Sequence, residues 1–253
     1  MKNIFKTIIC ITICFLLIVI PFLIRAKVTE KKIDKGTKLS NTDPVVTLLE
    51  EKMINNNELR IGNLEYSTLK NDDFIHYALY ALKEDEYTIK EYKNDAGLCI
   101  VPNSVMFSTN YNCQIKIIPD EVINNKIYEL FGETPELKYE DFEYKENICK
   151  HDDTTLYCFI NPEYKNKSVS YTTLYEAYEK KDEIYIYDYY LNINLSNITK
   201  CLKYYSEEIC NNPYERELPT VEEDKITKNG TLYKHTFTKK EDKYYLTKSE
   251  VIN

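Results

Sequence analysis

From Thr7 to Ile24 the chain runs for 18 residues without a charge, and Ile, Leu, Phe and Val dominate the run. At about 1.5 Å of helical rise per residue the stretch spans about 27 Å, enough to cross a hydrocarbon core with little tilt. A helix buried in a water-soluble domain rarely lacks a polar face over about five turns. The sequence therefore predicts an N-terminal transmembrane helix over residues 7–24, in contact with membrane lipid and preceded by a short tail, residues 1–6. Cleavage as a secretory signal is not expected: the apolar run is long, ends in Pro21-Phe22-Leu23-Ile24-Arg25, and offers only Ala26 as a small residue. Cys10 and Cys14 lie inside the run and read as apolar filler.

Charge gives conflicting information about orientation. Lys2 and Lys6 precede the span, whereas Arg25, Lys27, Lys31, Lys32, Lys35 and Lys38 follow it. The positive-inside tendency alone would put the large body in the cytoplasm. The brief basic leader and the cysteine pattern below favour the other side, so a single-pass cell-membrane protein with an extracytoplasmic body is the expectation. The first 38 residues hold 8 basic and 2 acidic side chains, leaving 25 basic and 39 acidic beyond them, a formal charge of −14. Such a body repels nucleic acid and anionic lipid heads, so no nucleic-acid partner is expected.

Beyond the anchor stand six cysteines, Cys99, Cys113, Cys149, Cys158, Cys201 and Cys210, separated in consecutive pairs by 14, 9 and 9 residues. Sequence cannot fix the connectivity, but local pairing 99–113, 149–158 and 201–210 is the economical choice. Loops of this size give roughly 2–3 kcal/mol of unfolded-state constraint each. Zinc sites bring their ligands two to four residues apart, a spacing this chain lacks, so no metal or cofactor is expected. Disulfides also call for an oxidising compartment.

Residues 25–42 read as a charged stalk, and 43–253 as an α+β body of mostly antiparallel sheets with a few packed helices. Asp43-Pro44 starts a helix with an apolar stripe of Val45, Val46, Leu48, Leu49 and Met53. A second helix is expected from Thr68 to Lys83, and a third from Pro119-Asp120 to a stop at Gly132. Strand patterns cover Tyr87–Tyr92, Cys99–Met106, Tyr111–Ile118 and Leu156–Ile160. Two hairpins follow: Val169–Glu179 with Glu183–Leu191, and Thr231–Phe237 with Lys243–Thr247. Between them Ile198–Ile209 reads as a short helix. A loose recurrence of helix then strands allows two sub-lobes, 43–118 and 119–253, although no linker rich in Pro, Gly or Ser divides them.

Catalytic signatures are sparse. The chain has 3 histidines and 5 glycines, no G-x-S-x-G elbow and no H-E-x-x-H helix. His151 falls in a turn and His235 in a strand, where a satisfied sheet residue is the default. With 41 acidic residues, adjacent carboxylates are the ordinary surface of an acidic protein. Tyrosine is the residue in excess, at 24. In Ile184–Tyr190, Ile184, Ile186 and Asp188 alternate with Tyr185, Tyr187 and Tyr189, so one face of that strand is strongly aromatic. Tyr185, Tyr187 and Tyr189 are the candidate binding surface, for an envelope protein, peptide or glycan. The expected role is a non-catalytic binding or scaffolding module of the cell envelope; the alternative is an extracytoplasmic envelope hydrolase.

Overall fold

A computed structural model describes residues 35–253, apart from 55–56, 61, 94–98, 102–104, 108–112, 145–146, 160–167, 212, 214–217 and 253. The expected anchor over 7–24 therefore lies outside the described residues. Among those described, no helix is long and apolar enough to cross a membrane. The body is a mixed α+β fold of antiparallel sheets with packed helices.

Three helices begin and end where side-chain chemistry places their boundaries. Helix α1 (Pro44–Ile54) has Pro at its first position, and the Asp43 carboxylate accepts a hydrogen bond from Val45 N at 2.9 Å. Its residues Val46, Leu49 and Met53 share one face and are buried. Helix α2 (Asn71–Ala81) is closed at its start by Asp73 Oδ2, which accepts from Lys70 N, and it buries Phe74, Ile75, Ala78 and Leu79. Helix α3 (Asp120–Phe131) carries Asp120 and Glu121 at its positive end and stops at Gly132, whose φ of 75° is left-handed. A Cβ at Gly132 would come within 2.6 Å of the Tyr245 ring, so glycine is required there on two counts.

The strands form two principal sheets. The larger has the order β1-β10-β11-β12-β13-β2, from Thr37–Leu39, Ser168–Lys180, Glu183–Asn194, Thr231–Lys240, Lys243–Val251 and Leu64–Glu65. The smaller has the order β3-β6-β9-β8-β7, from Thr88–Glu91, Gln114–Pro119, Thr155–Phe159, Asn147–Asp152 and Phe142–Tyr144. Cys99–Val101 (β4) and Val105–Phe107 (β5) pair separately. All pairings are antiparallel. Strand β1 lies within the segment expected to be stalk; its three residues pair with Ala177–Glu179 of β10.

One hydrophobic core joins α1, α2 and α3 to Ile184, Ile186, Phe237 and Leu246 of the large sheet and to Ile118 and Leu156 of the small one. The two sub-lobes weighed from the sequence are thus not separate: β2 precedes residue 118 yet pairs with β13, and β6 pairs with β9. Thr37–Asn253 forms a single unit. A second core lies farther along β11, where Leu191, Ile193 and Leu195 meet Cys201, Tyr205, Cys210, Val221 and Ile226. The expected single helix over 198–209 is instead two short ones, α4 (Ile198–Cys201) and α5 (Glu207–Asn211), and α6 (Glu223–Asn229) completes this cover.

Candidate functional site

Strand β11 sends alternate residues to opposite faces. Ile184, Ile186 and Asp188 face the main core, so a carboxylate lies where its neighbours are aliphatic. The sheet register supplies its partners: Ile186 lies opposite His235, which lies opposite Ser249. Asp188 Oδ1 is 3.0 Å from His235 Nε2, and His235 Nδ1 is 2.6 Å from Ser249 Oγ. Ser249 Oγ donates to the Leu59 carbonyl at 2.9 Å. Arg60, at the end of a 3-10 turn (Asn57–Arg60), donates from Nε to Asp188 Oδ2 at 2.9 Å and from Nη1 to the Met53 carbonyl. Its Nη2 is 2.7 Å from Asp188 Oδ2, a charge contact rather than an aligned hydrogen bond. Arg60, Asp188, His235 and Ser249 are each at most 1% exposed.

Burial alone would raise the Asp188 carboxyl, but the charges and hydrogen bonds of His235 and Arg60 outweigh it and hold the group below its ordinary value. Nearby Glu50 is pushed up by burial and by repulsion from Asp188, an effect that Arg60 moderates. The chain Ser249–His235–Asp188 has the membership of a nucleophilic triad without its geometry. In such triads the carboxylate holds Nδ1 and the hydroxyl meets Nε2. Here the two nitrogens are exchanged, the hydroxyl is bonded to a carbonyl, and no substrate atom can reach it. The arrangement pairs the buried charges, leaves Arg60 Nη2 with a charge contact alone, and ties α1 and the following turn to the sheet. His235 is thus the satisfied sheet residue expected from the sequence. The signal pointing to the rest was Asp188 itself, an acid in step with Ile184 and Ile186, which requires buried cationic partners.

The opposite face of β11 carries Tyr185, Tyr187 and Tyr189, all half-buried. Tyr178 of β10 lies opposite Tyr185, and its ring meets that of Tyr187 edge-on at 6.0 Å. A β-bulge between Leu174 and Glu176 leaves Tyr175 outside the ladder, where it is 48% exposed and packs edge-on against Tyr189 at 5.5 Å. Lys234 Nζ sits 4.4 Å from the centre of the Tyr185 ring and 3.6 Å from Glu250. The Tyr185 hydroxyl donates to Glu183, which together with burial pushes its pKa up to about 12. Five tyrosines thus form a strip bordered by charges of both signs. Tyr171, Tyr204 and Tyr205, also part of the excess noted in the sequence, pack against the second core, and Tyr189 at the end of the strip packs against it too.

His151 is held by Asp120 at the start of α3, with Nε2 2.9 Å from Oδ2, and its ring stacks on Tyr139 at 5.3 Å. His76 is buried in α2. Of the expected disulfides, Cys149–Cys158 joins directly opposed residues of β8 and β9, and Cys201–Cys210 clips α4 to α5. Cys113 is disulfide-bonded too, while the side chain of Cys99, its expected partner, lies outside the described residues. Among the described residues no group of three or more His, Cys, Asp or Glu side chains is placed to hold a metal ion. No protein-family model matches the chain, and neither a curated protein nor a solved structure shows a significant match to it.

Proposed function

We propose that the chain is a single-pass, membrane-anchored recognition module of the cell envelope, with an extracytoplasmic body that contacts a partner through Tyr185, Tyr187 and Tyr189. The observation that carries this reading is the half-buried tyrosine strip on one face of β11, whose other face buries Ile184, Ile186 and Asp188. Tyrosine offers a large apolar ring and a polar tip at low conformational cost, which suits it to protein contacts. Lys234, Glu250, Glu176 and Glu183 around the rings supply both charges, which favours a protein or peptide surface with its own mixed charge. The 18-residue uncharged run supports the anchor, and two disulfides in the body support an oxidising side.

Two experiments test this. In intact cells, a membrane-impermeant maleimide should leave the body unlabelled until an impermeant reductant is added; no labelling even after that reductant would sink the location, and labelling before it would sink the disulfides. For the contact surface, the variant carrying Tyr185→Ser and Tyr187→Ser should lose retention of solubilised envelope proteins by about tenfold, equivalent to about 1.4 kcal/mol. Unchanged retention by a folded variant would remove the tyrosine face from consideration. For the hydrolase alternative, which would use carboxylates or a dispersed histidine site, the histidine pairs among the described residues are Ser249–His235, which is sealed, and His151–Asp120, which is only partly buried. Hydrolysis of a generic ester panel that is lost in His151→Ala would replace the binding proposal.

A further inference from the structure

Helix α1 carries a second apolar stripe besides the one it buries. Val45, Leu48 and Lys52 are spaced to share a face, and Leu48 is 54% exposed. That face borders an open cavity of about 520 Å³ also lined by Ala81 of α2, Leu130 of α3 and Lys243 at the tip of the β12–β13 hairpin. The volume falls within the range of about 300–1,000 Å³ typical of small-molecule sites. Tyr128, also on the lining, is 48% exposed. Leu48 and Tyr128 thus leave apolar surface wet at the mouth of a concavity whose floor, Val45, Ala81 and Leu130, belongs to or packs on the main core.

The charges around this cavity are not balanced in place. Lys126 is sealed by two carboxylates, Glu86 at 2.6 Å and Glu129 at 2.8 Å. Lys52 differs: its ammonium donates to the carbonyls of Glu129 and Tyr244, each at 3.3 Å, and lies 5.3 Å from the Tyr245 ring centre. An ammonium has three donors, so one remains beyond those two carbonyls. Neither Lys52 nor Lys243 is in an ion pair among the described residues. Burial holds Lys52 below its ordinary value and Lys243 adds repulsion, while Glu129 offsets part of both effects. The remaining acids on the lining, Glu51 and Asp242, are exposed. Two neighbouring cations beside an apolar hollow form a site complementary to one anionic head on an apolar chain.

We propose that this cavity binds a single-chain amphipathic carboxylate of the fatty-acid class, its head on Lys52 and Lys243 and its chain along Val45, Leu48, Ala81 and Leu130. Binding would cover the wet faces of Leu48 and Tyr128 and supply the counter-charge the two lysines lack. The site is distinct from the tyrosine strip, and neither depends on the other.

The test uses the full chain in lipid nanodiscs and a fatty acid bearing a terminal diazirine, with labelled peptides mapped by mass spectrometry. Label should fall on peptides that line the chain, those containing residues 45–48, 81 and 130. Decanoate should compete it away, whereas decyltrimethylammonium, with the same chain and opposite charge, should not. Lys52→Gln and Leu48→Glu should each lower labelling by about tenfold at sub-saturating probe. Leu48→Glu changes an exposed position, so it keeps the test decisive if Lys52→Gln does not fold. Label confined to residues 7–24 or scattered over the body would overturn the proposal. Equal competition by the cation, or full labelling of folded Leu48→Glu, would do the same.

Discussion

The two faces of β11 carry similar numbers of polar groups and use them in opposite ways. On the core side Asp188 joins His235, Ser249 and Arg60 in a chain that excludes solvent. On the other side Tyr185, Tyr187 and Tyr189 remain half-buried, Tyr185 meeting Glu183 and Lys234 and the other two meeting tyrosine rings of β10. The sealed face looks like chemistry and acts as structure; the wetter face looks like ordinary strand composition and offers contact area. Access, more than residue identity, distinguishes the two roles.

The comparison breaks most readily at Asp188. Asp188→Ala leaves Arg60 buried without a counter-ion and should cost about 3–5 kcal/mol in urea unfolding. Tyr187→Ser on the opposite face should cost no more than about 1 kcal/mol. Similar costs would mean that the faces are not as different as their exposure implies. The pH dependence sharpens the point. Because the folded Asp188 carboxyl titrates below an unfolded one at about 3.9, its contribution is complete above that pH and disappears as pH falls through the folded value. The stability gap between wild type and Asp188→Asn should therefore narrow below about pH 4 and stay constant above it.

A smaller effect comes from the covered end of the tyrosine-bearing face. There Leu191 and Ile193 lie beneath α4, α5 and α6, with Cys201–Cys210 holding the first two together. Replacing both cysteines by serine should cost about 2–3 kcal/mol and raise dye binding to exposed apolar surface. It should leave the tyrosine strip able to bind its partner. The smallest change is expected at the hairpin tip where the two faces end. Lys181 has a φ of 58°, a left-handed conformation that asparagine adopts more readily than lysine. Lys181→Asn should add about 0.5 kcal/mol, measured by thermal unfolding; a loss would show that the Lys181 side chain does more than close the turn.

Local features were legible in the sequence. Asp43-Pro44 and Gly132 marked helix ends, and the spacing of Cys149 with Cys158 and of Cys201 with Cys210 matched their pairing. The alternation of Ile184–Tyr190 correctly divided β11 into its two faces. Long-range register was not legible. Nothing in the sequence aligns Ile186 with His235 and Ser249, and Arg60 sits in a polar stretch without a periodic signal. Helix α6 escaped notice because Ile226 is its one buried residue, too little apolar content for a periodic pattern. The Lys52 cavity depends on α1, α3 and the last hairpin meeting, and no local pattern announces it.

The bond from Ser249 to the Leu59 carbonyl spans 190 positions, and Leu64–Glu65 pairs with Ser249 and Lys248 of the final strand. Leu59, Leu64 and Glu65 therefore find these partners only once β13 has been made. Until β13 arrives, Arg60 and Asp188 lack the cover that makes their burial tolerable, and the large sheet has an open edge. Closure of this body thus waits on β13, and a protein lacking that strand should remain a substrate for chaperones and proteases rather than a slightly shorter version of itself.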